Sequence, residues 1–81
     1  MPPTEASPAT AVERALNILE ATGERREGLT NSEISRRLSI PKSSASYILR
    51  TLEKRGYLRR DGESGRYHLG LKVLSLEREA Q

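Results

Sequence analysis

The sequence predicts a mainly helical domain with one small β-hairpin, an α+β arrangement, on three observations. Apolar residues recur at helical spacing in three segments before residue 56. The apolar period then shortens from 3.6 to 2 across residues 57–69, around a loop with two glycines. Helix-start and helix-stop signals, two of them of the T-x-x-E type, bracket the helical segments.

Residues 1–9, MPPTEASPA, hold three prolines and no apolar periodicity, and read as a disordered lead-in. They carry no Lys or Arg, which argues against a basic arm. The first helix is expected from Thr10, where Thr10 and Glu13 fit a capping box. Its apolar stripe is Val12, Ala15, Leu16 and Leu19, and Gly23 stops it. After the polar loop ERRE, Gly28 and Leu29 form a short extended piece. Thr30 and Glu33 give a second capping box, opening a short helix with Ile34 and Leu38 on its apolar edge and its end near Ser39.

Ile40 then turns inward, and Pro41 opens a third helix, where its missing N–H costs nothing. This helix, 41–55, buries Ala45, Ile48, Leu49 and Leu52 and ends at Gly56. YLRR and RYHL are two short strands with Leu58, Tyr67 and Leu69 on the inner side, joined by DGESG. A last helix follows Gly70, with Leu71, Val73, Leu74 and Leu76 apolar. The order is helix, short strand, helix, helix, strand, strand, helix. Two helices joined by a tight turn and followed by a hairpin form a winged helix-turn-helix, here residues 10–70.

Composition narrows the function. The 81 residues allow one domain, with a core of Leu, Ile, Val and Ala, since there is no Phe and no Trp. No cysteine means no disulfide, no thiolate nucleophile and no sulfur-ligated zinc. A single histidine, His68, reads as a surface strand residue, and no carboxylate pair converges. An enzyme is therefore not expected, nor a cofactor or metal. No apolar run approaches the roughly 20 residues of a membrane helix and no signal peptide opens the chain, so a cytoplasmic protein without membrane partner is expected.

The charge is lopsided. Residues 1–35 hold three basic and six acidic side chains, a net −3, whereas residues 36–72 hold ten basic and three acidic, a net +7. A basic half on a small domain is the footprint of a polyanion ligand. With Ala45, Ile48, Leu49 and Leu52 inward, the third helix leaves Lys42, Ser43, Ser46, Tyr47 and Arg50 outside and Ser44 at the margin. The second helix of such a motif enters the DNA major groove, and its N-terminal residues reach base edges.

Roles follow by residue type. Lys42 suits a phosphate or the acceptors of a guanine, and the serines are adaptable donors to either. Tyr47 can lay its ring on a thymine methyl or a sugar, while Arg50 reaches the backbone. On the wing, Arg59, Arg60 and Arg66 are expected to grip a phosphate or the minor groove. Tyr57 and Tyr67 read as core.

The segments AVERALNILEAT, GLTNSEISRRLSIPKSSASYILRTLEKRGYL and GRYHLGLKVLSL closely resemble the N-terminal domain of the IclR (isocitrate lyase regulator) family of bacterial transcription regulators, over residues 11–76. The resemblance implies a winged helix that binds operator DNA, often as part of a repressor. It implies that residues 71–81 begin a linker helix to a C-terminal effector-binding domain that this sequence lacks, as in an excised domain. It also implies a homodimer formed through that linker helix and that domain. Matched by position, Lys42, Ser44 and Tyr47 face bases or phosphates. The family usually has Thr at Ser44, Val at Ala45, often Arg at Tyr47, and commonly Gly at Ser39. The alternative is a winged-helix protein-interaction module. Its mark is an apolar patch on the third helix, where this chain is polar and basic.

Overall fold

The computed structural model describes residues 8–80. Four helices and a two-stranded hairpin follow in the order α1 (Pro8–Gly23), α2 (Asn31–Leu38), α3 (Lys42–Lys54), β1 (Leu58–Arg60), β2 (Tyr67–Leu69) and α4 (Lys72–Ala80). The expected lead-in lies outside the described residues, except that Pro8 and Ala9 are already helical. Thr10 is therefore inside the first turn of α1, and the capping box expected at Thr10 and Glu13 does not start this helix.

The inward side of α1 differs from the expected stripe. Ile18 is fully buried and Thr22 nearly so, its hydroxyl donating to the Ile18 carbonyl at 2.7 Å. Val12 and Leu16 are 58% and 51% exposed. The apolar arc of α1 is wider than the core requires. Ile18 and Thr22, with Ala15 and Leu19 beside them, turn inward, and Val12 and Leu16 are left on the outer flank.

The capping box of α2 is formed as expected. The Thr30 hydroxyl accepts from the Glu33 N–H at 3.1 Å, and the Glu33 carboxylate accepts from the Thr30 N–H at 3.0 Å. Ile34 is buried against α3. The chain leaves α2 through Ser39, whose backbone is left-handed at φ 55°, and this single residue swings Ile40 into the core. Pro41 caps α3 with an extended backbone, and its carbonyl accepts from the Ala45 N–H at 2.9 Å. Ala45, Ile48 and Leu49 are buried and Leu52 packs beside them, so the inward face of α3 is the one the sequence predicts.

The hairpin pairs Leu58 with Leu69, Arg59 with His68 and Arg60 with Tyr67. Leu29 adds a third short arm: its N–H donates to the Tyr67 carbonyl at 3.1 Å, and the Tyr67 N–H donates back at 2.7 Å. Leu58 and Tyr67 are buried, but Leu69 is 37% exposed. It sits at the rim over the end of α1, where its Cδ1 approaches Gly23 and the helix layer has run out.

The joint after α3 is tight. Gly56 adopts φ 86°, and its carbonyl accepts the Lys72 N–H at 3.1 Å while the Gly70 N–H donates to the Tyr57 carbonyl at 2.9 Å. A Cβ on Gly70 would lie 2.2 Å from the Gly56 oxygen. These bonds hang α4 on the hairpin base, yet none of its residues is buried, and Leu71 is 81% exposed. No helix among the described residues is long and apolar enough to cross a membrane.

Candidate nucleic-acid interface

Burying Ala45, Ile48 and Leu49 fixes what α3 presents outward. Tyr47 is 67% exposed, Lys42, Ser43 and Arg50 are exposed, and Ser44 and Ser46 are half-buried at the two flanks. The Thr51 hydroxyl donates to the Tyr47 carbonyl at 3.0 Å. Tyr47, Arg50, Thr51 and Lys54 share a shallow groove along the helix. Lys54 lies in the same groove at i+7 from Tyr47, with Glu53 beside it.

Ser46 is not a free hydroxyl. The Asn31 side-chain amide, at the start of α2, donates to it at 2.7 Å. The Ser46 proton remains available to a second partner. The Asn31 carbonyl oxygen is buried and meets no donor among the described residues.

The opposite flank holds a residue that sequence reasoning missed. Arg14 of α1 lines a notch of about 360 Å³ with Ser43, Ser44 and Tyr47. Its signal in the sequence was weak, since a lone arginine between Glu13 and Ala15 in an otherwise acidic segment reads as a solvated charge.

On the wing, Arg59 and Arg60 are exposed on β1. Asp61 organises the turn that follows: its carboxylate accepts from the Glu63 N–H at 3.1 Å and the Ser64 hydroxyl at 2.8 Å. Those bonds, the Glu63 N–H first, hold its carboxyl below the ordinary range. Arg66 is engaged within the fold. Its Nη1 donates to the Glu33 carboxylate at 3.1 Å and to the Gly28 carbonyl at 3.2 Å. This guanidinium ties β2 to α2 rather than projecting from the wing tip, because the register that buries Tyr67 sets Arg66 beside the start of α2. Glu33 is held below its ordinary value, chiefly by the Thr30 N–H and further by Arg66.

The other cations of α3 and the wing, Lys42, Arg50, Lys54, Arg59 and Arg60, have no ion-pair partner among the described residues. No group of three or more His, Cys, Asp or Glu stands together as a metal site among them either.

A basic strip on the second helix of a helix-turn-helix, with a wing beside it, can be compared with known proteins. Residues 11–62 match the family model of the IclR helix-turn-helix domain. The chain belongs to the IclR family. It is 46% identical over 68 residues to the glycerol operon regulatory protein of Streptomyces coelicolor, covering 82% of this chain and 26% of that protein. It is 38% identical over 64 residues to the HTH-type transcriptional regulator XynR of Escherichia coli, covering 79% and 25%. Among solved structures, an IclR family transcriptional regulator from Brucella abortus superposes with a TM-score of 0.79 at 35% identity, covering 88% of this chain and 27% of that one. The repressor BlcR of Agobacterium tumefaciens gives 0.81 at 25% identity, covering 95% and 30%. The chain thus spans about a quarter of the length of the curated IclR relatives it matches. The IclR assignment accounts for the helix order and the hairpin, and its relatives are named as regulators rather than enzymes.

Proposed function

We propose that this chain is the sequence-specific, double-stranded DNA-binding part of an IclR-type transcription regulator, with α3 in the major groove and Arg59 and Arg60 of the wing on the backbone or minor groove. The observation that carries this reading is the outward strip of α3. A tyrosine two-thirds exposed stands among Lys42, Ser43 and Arg50, while the apolar residues of the same helix are spent on the core. An exposed aromatic ring at that cost in apolar surface is suited to base or sugar contact. The cations around it suit phosphates, which supply most of the affinity and set register.

Selection of binding sites from a random duplex pool tests the reading, followed by affinity for the recovered duplex against salt. About five neutralised phosphates give a log–log slope near −4 to −5. A flat salt response ends the proposal.

The second reading, a protein-interaction surface, is favoured by a different face. Val12 and Leu16 of α1, Leu69, and Val73 and Leu76 of α4 line an apolar groove of about 480 Å³. Leu52 from the inward side of α3 and Tyr57 complete its lining, which shares no residue with the outward strip of α3, so the two functions are compatible. We assign this groove to homodimer formation involving α4, in keeping with an operator of two half-sites. Sedimentation of the chain with and without a two-half-site duplex tests it. Monomers bound independently to each half-site would exclude it.

A further inference from the structure

We propose that the notch between α1 and the front of α3 is a seat for one DNA-backbone phosphate, with Arg14 as its cation. The inference rests on the DNA-binding reading above and adds a contact from outside the helix-turn-helix and wing. The two flanks of α3 are distinguishable. On one, Ser46 is bonded to Asn31 of α2. On the other, Ser44 and Ile48 face Ala11 and Arg14 of α1 across the notch. A helix lying in the major groove, about 12 Å wide, has a sugar–phosphate strand on each flank. The α1 flank therefore meets phosphates of one strand, and it must offer them a donor.

What it offers is Arg14, with the hydroxyl-bearing residues Ser43, Ser44 and Tyr47 lining the same hollow of about 360 Å³. Arg14 is half-buried, and no carboxylate among the described residues pairs with it. An arginine so placed at the notch suits bidentate contact with a phosphate. The serines are too short to fill the hollow, so the strand can approach closely. The same chain places Glu13 and Glu20 on exposed positions of α1, so Arg14 is the cation that α1 brings to this flank.

The test uses the 81-residue chain with a duplex recovered by site selection, and a random duplex beside it. Arg14→Ala should weaken both duplexes about tenfold and make the salt slope shallower by about 0.9. Arg14→Lys should keep the slope and lose part of the affinity, since it keeps the charge without the fork. Single methylphosphonates scanned along each strand should reveal one phosphate whose neutralisation weakens wild type but not Arg14→Ala. That arm stands even if Arg14→Ala lowers the melting temperature. Unchanged affinity and slope in Arg14→Ala, with Lys42→Ala still weakening binding, would overturn the notch and leave the DNA-binding reading intact. Failure of the wild-type chain to bind any duplex in a salt-dependent way would overturn both.

Discussion

The side-chain amide of Asn31 donates to the Ser46 hydroxyl at 2.7 Å, across the two helices of the helix-turn-helix. Ser46 stands beside Tyr47 on the outward strip, so the bond fixes the rotamer of a residue proposed to face DNA. The inner end of the same amide is buried without a donor. Removing Asn31 therefore loses one good bond and relieves one unsatisfied acceptor, and the two effects offset each other. Asn31→Ala should change urea stability by no more than about 1 kcal/mol, yet weaken the selected duplex roughly threefold to tenfold through a freed Ser46. Equal binding by variant and wild type would remove Ser46 from the contact set.

Tyr47 separates reading from gripping. Being 67% exposed, it contributes little to the core, so Tyr47→Ala should leave the melting curve unchanged. If the ring reads bases, the selected duplex weakens by about 1–3 kcal/mol more than random DNA. The measurement is a pair of titrations at one salt concentration, and equal losses would make Tyr47 a backbone contact.

Ser39 occupies the left-handed region at the tight turn, with φ 55°, a conformation that costs a residue bearing a Cβ. Ser39→Gly should stabilise the domain by about 0.5–1 kcal/mol, the relief of left-handed strain outweighing the added freedom of the unfolded chain. Chemical denaturation checks the sign. A loss of stability would mean that Ser39 holds the turn by a bond of its own.

Gly70 has no room. Its Cβ would meet the Gly56 carbonyl oxygen at 2.2 Å and the Gly56 carbonyl carbon at 2.9 Å, both backbone atoms that cannot swing away. Gly70→Ala should cost about 1–3 kcal/mol and disturb the bond from Lys72 that seats α4. Thermal melting reads the cost, and amide exchange at Lys72 reads the local loosening.

The Glu33 carboxylate links stability to pH. Its folded-state value is depressed, first by the Thr30 N–H and then by Arg66. A depressed carboxylate stabilises the fold above its unfolded value, and that contribution is lost as pH falls through the ordinary glutamate range to the lowered folded value. Urea midpoints should fall across that window, and Glu33→Gln should flatten the fall. Arg66→Ala should lower stability while leaving the salt slope of DNA binding unchanged. A shallower slope would return Arg66 to the DNA-contacting set.

Most of the fold was legible because it rests on local signals. The Thr30 and Glu33 capping box, Pro41 before α3, Gly56 after it and the change of period at Tyr57 are each decided within a few residues of chain. The inward face of α3 was legible for the same reason, since Ala45, Ile48, Leu49 and Leu52 leave one consistent choice of side. Where the pattern was ambiguous, as on the broad apolar arc of α1, the chain alone pointed to Val12 and Leu16 rather than Ile18.

By itself, then, the sequence determined the order of the elements, the outward strip from Lys42 to Arg50 and the basic half of the chain, because periodicity, caps and charge are properties of neighbours along the backbone. Only the tertiary structure decided which cations stay available. Arg66 is drawn to Glu33 by the hairpin register, Arg14 is carried from an acidic segment to the edge of α3, and Asn31 reaches Ser46 fifteen positions away. Such pairings are made by packing between elements distant in sequence, and spacing along the chain carries no record of them.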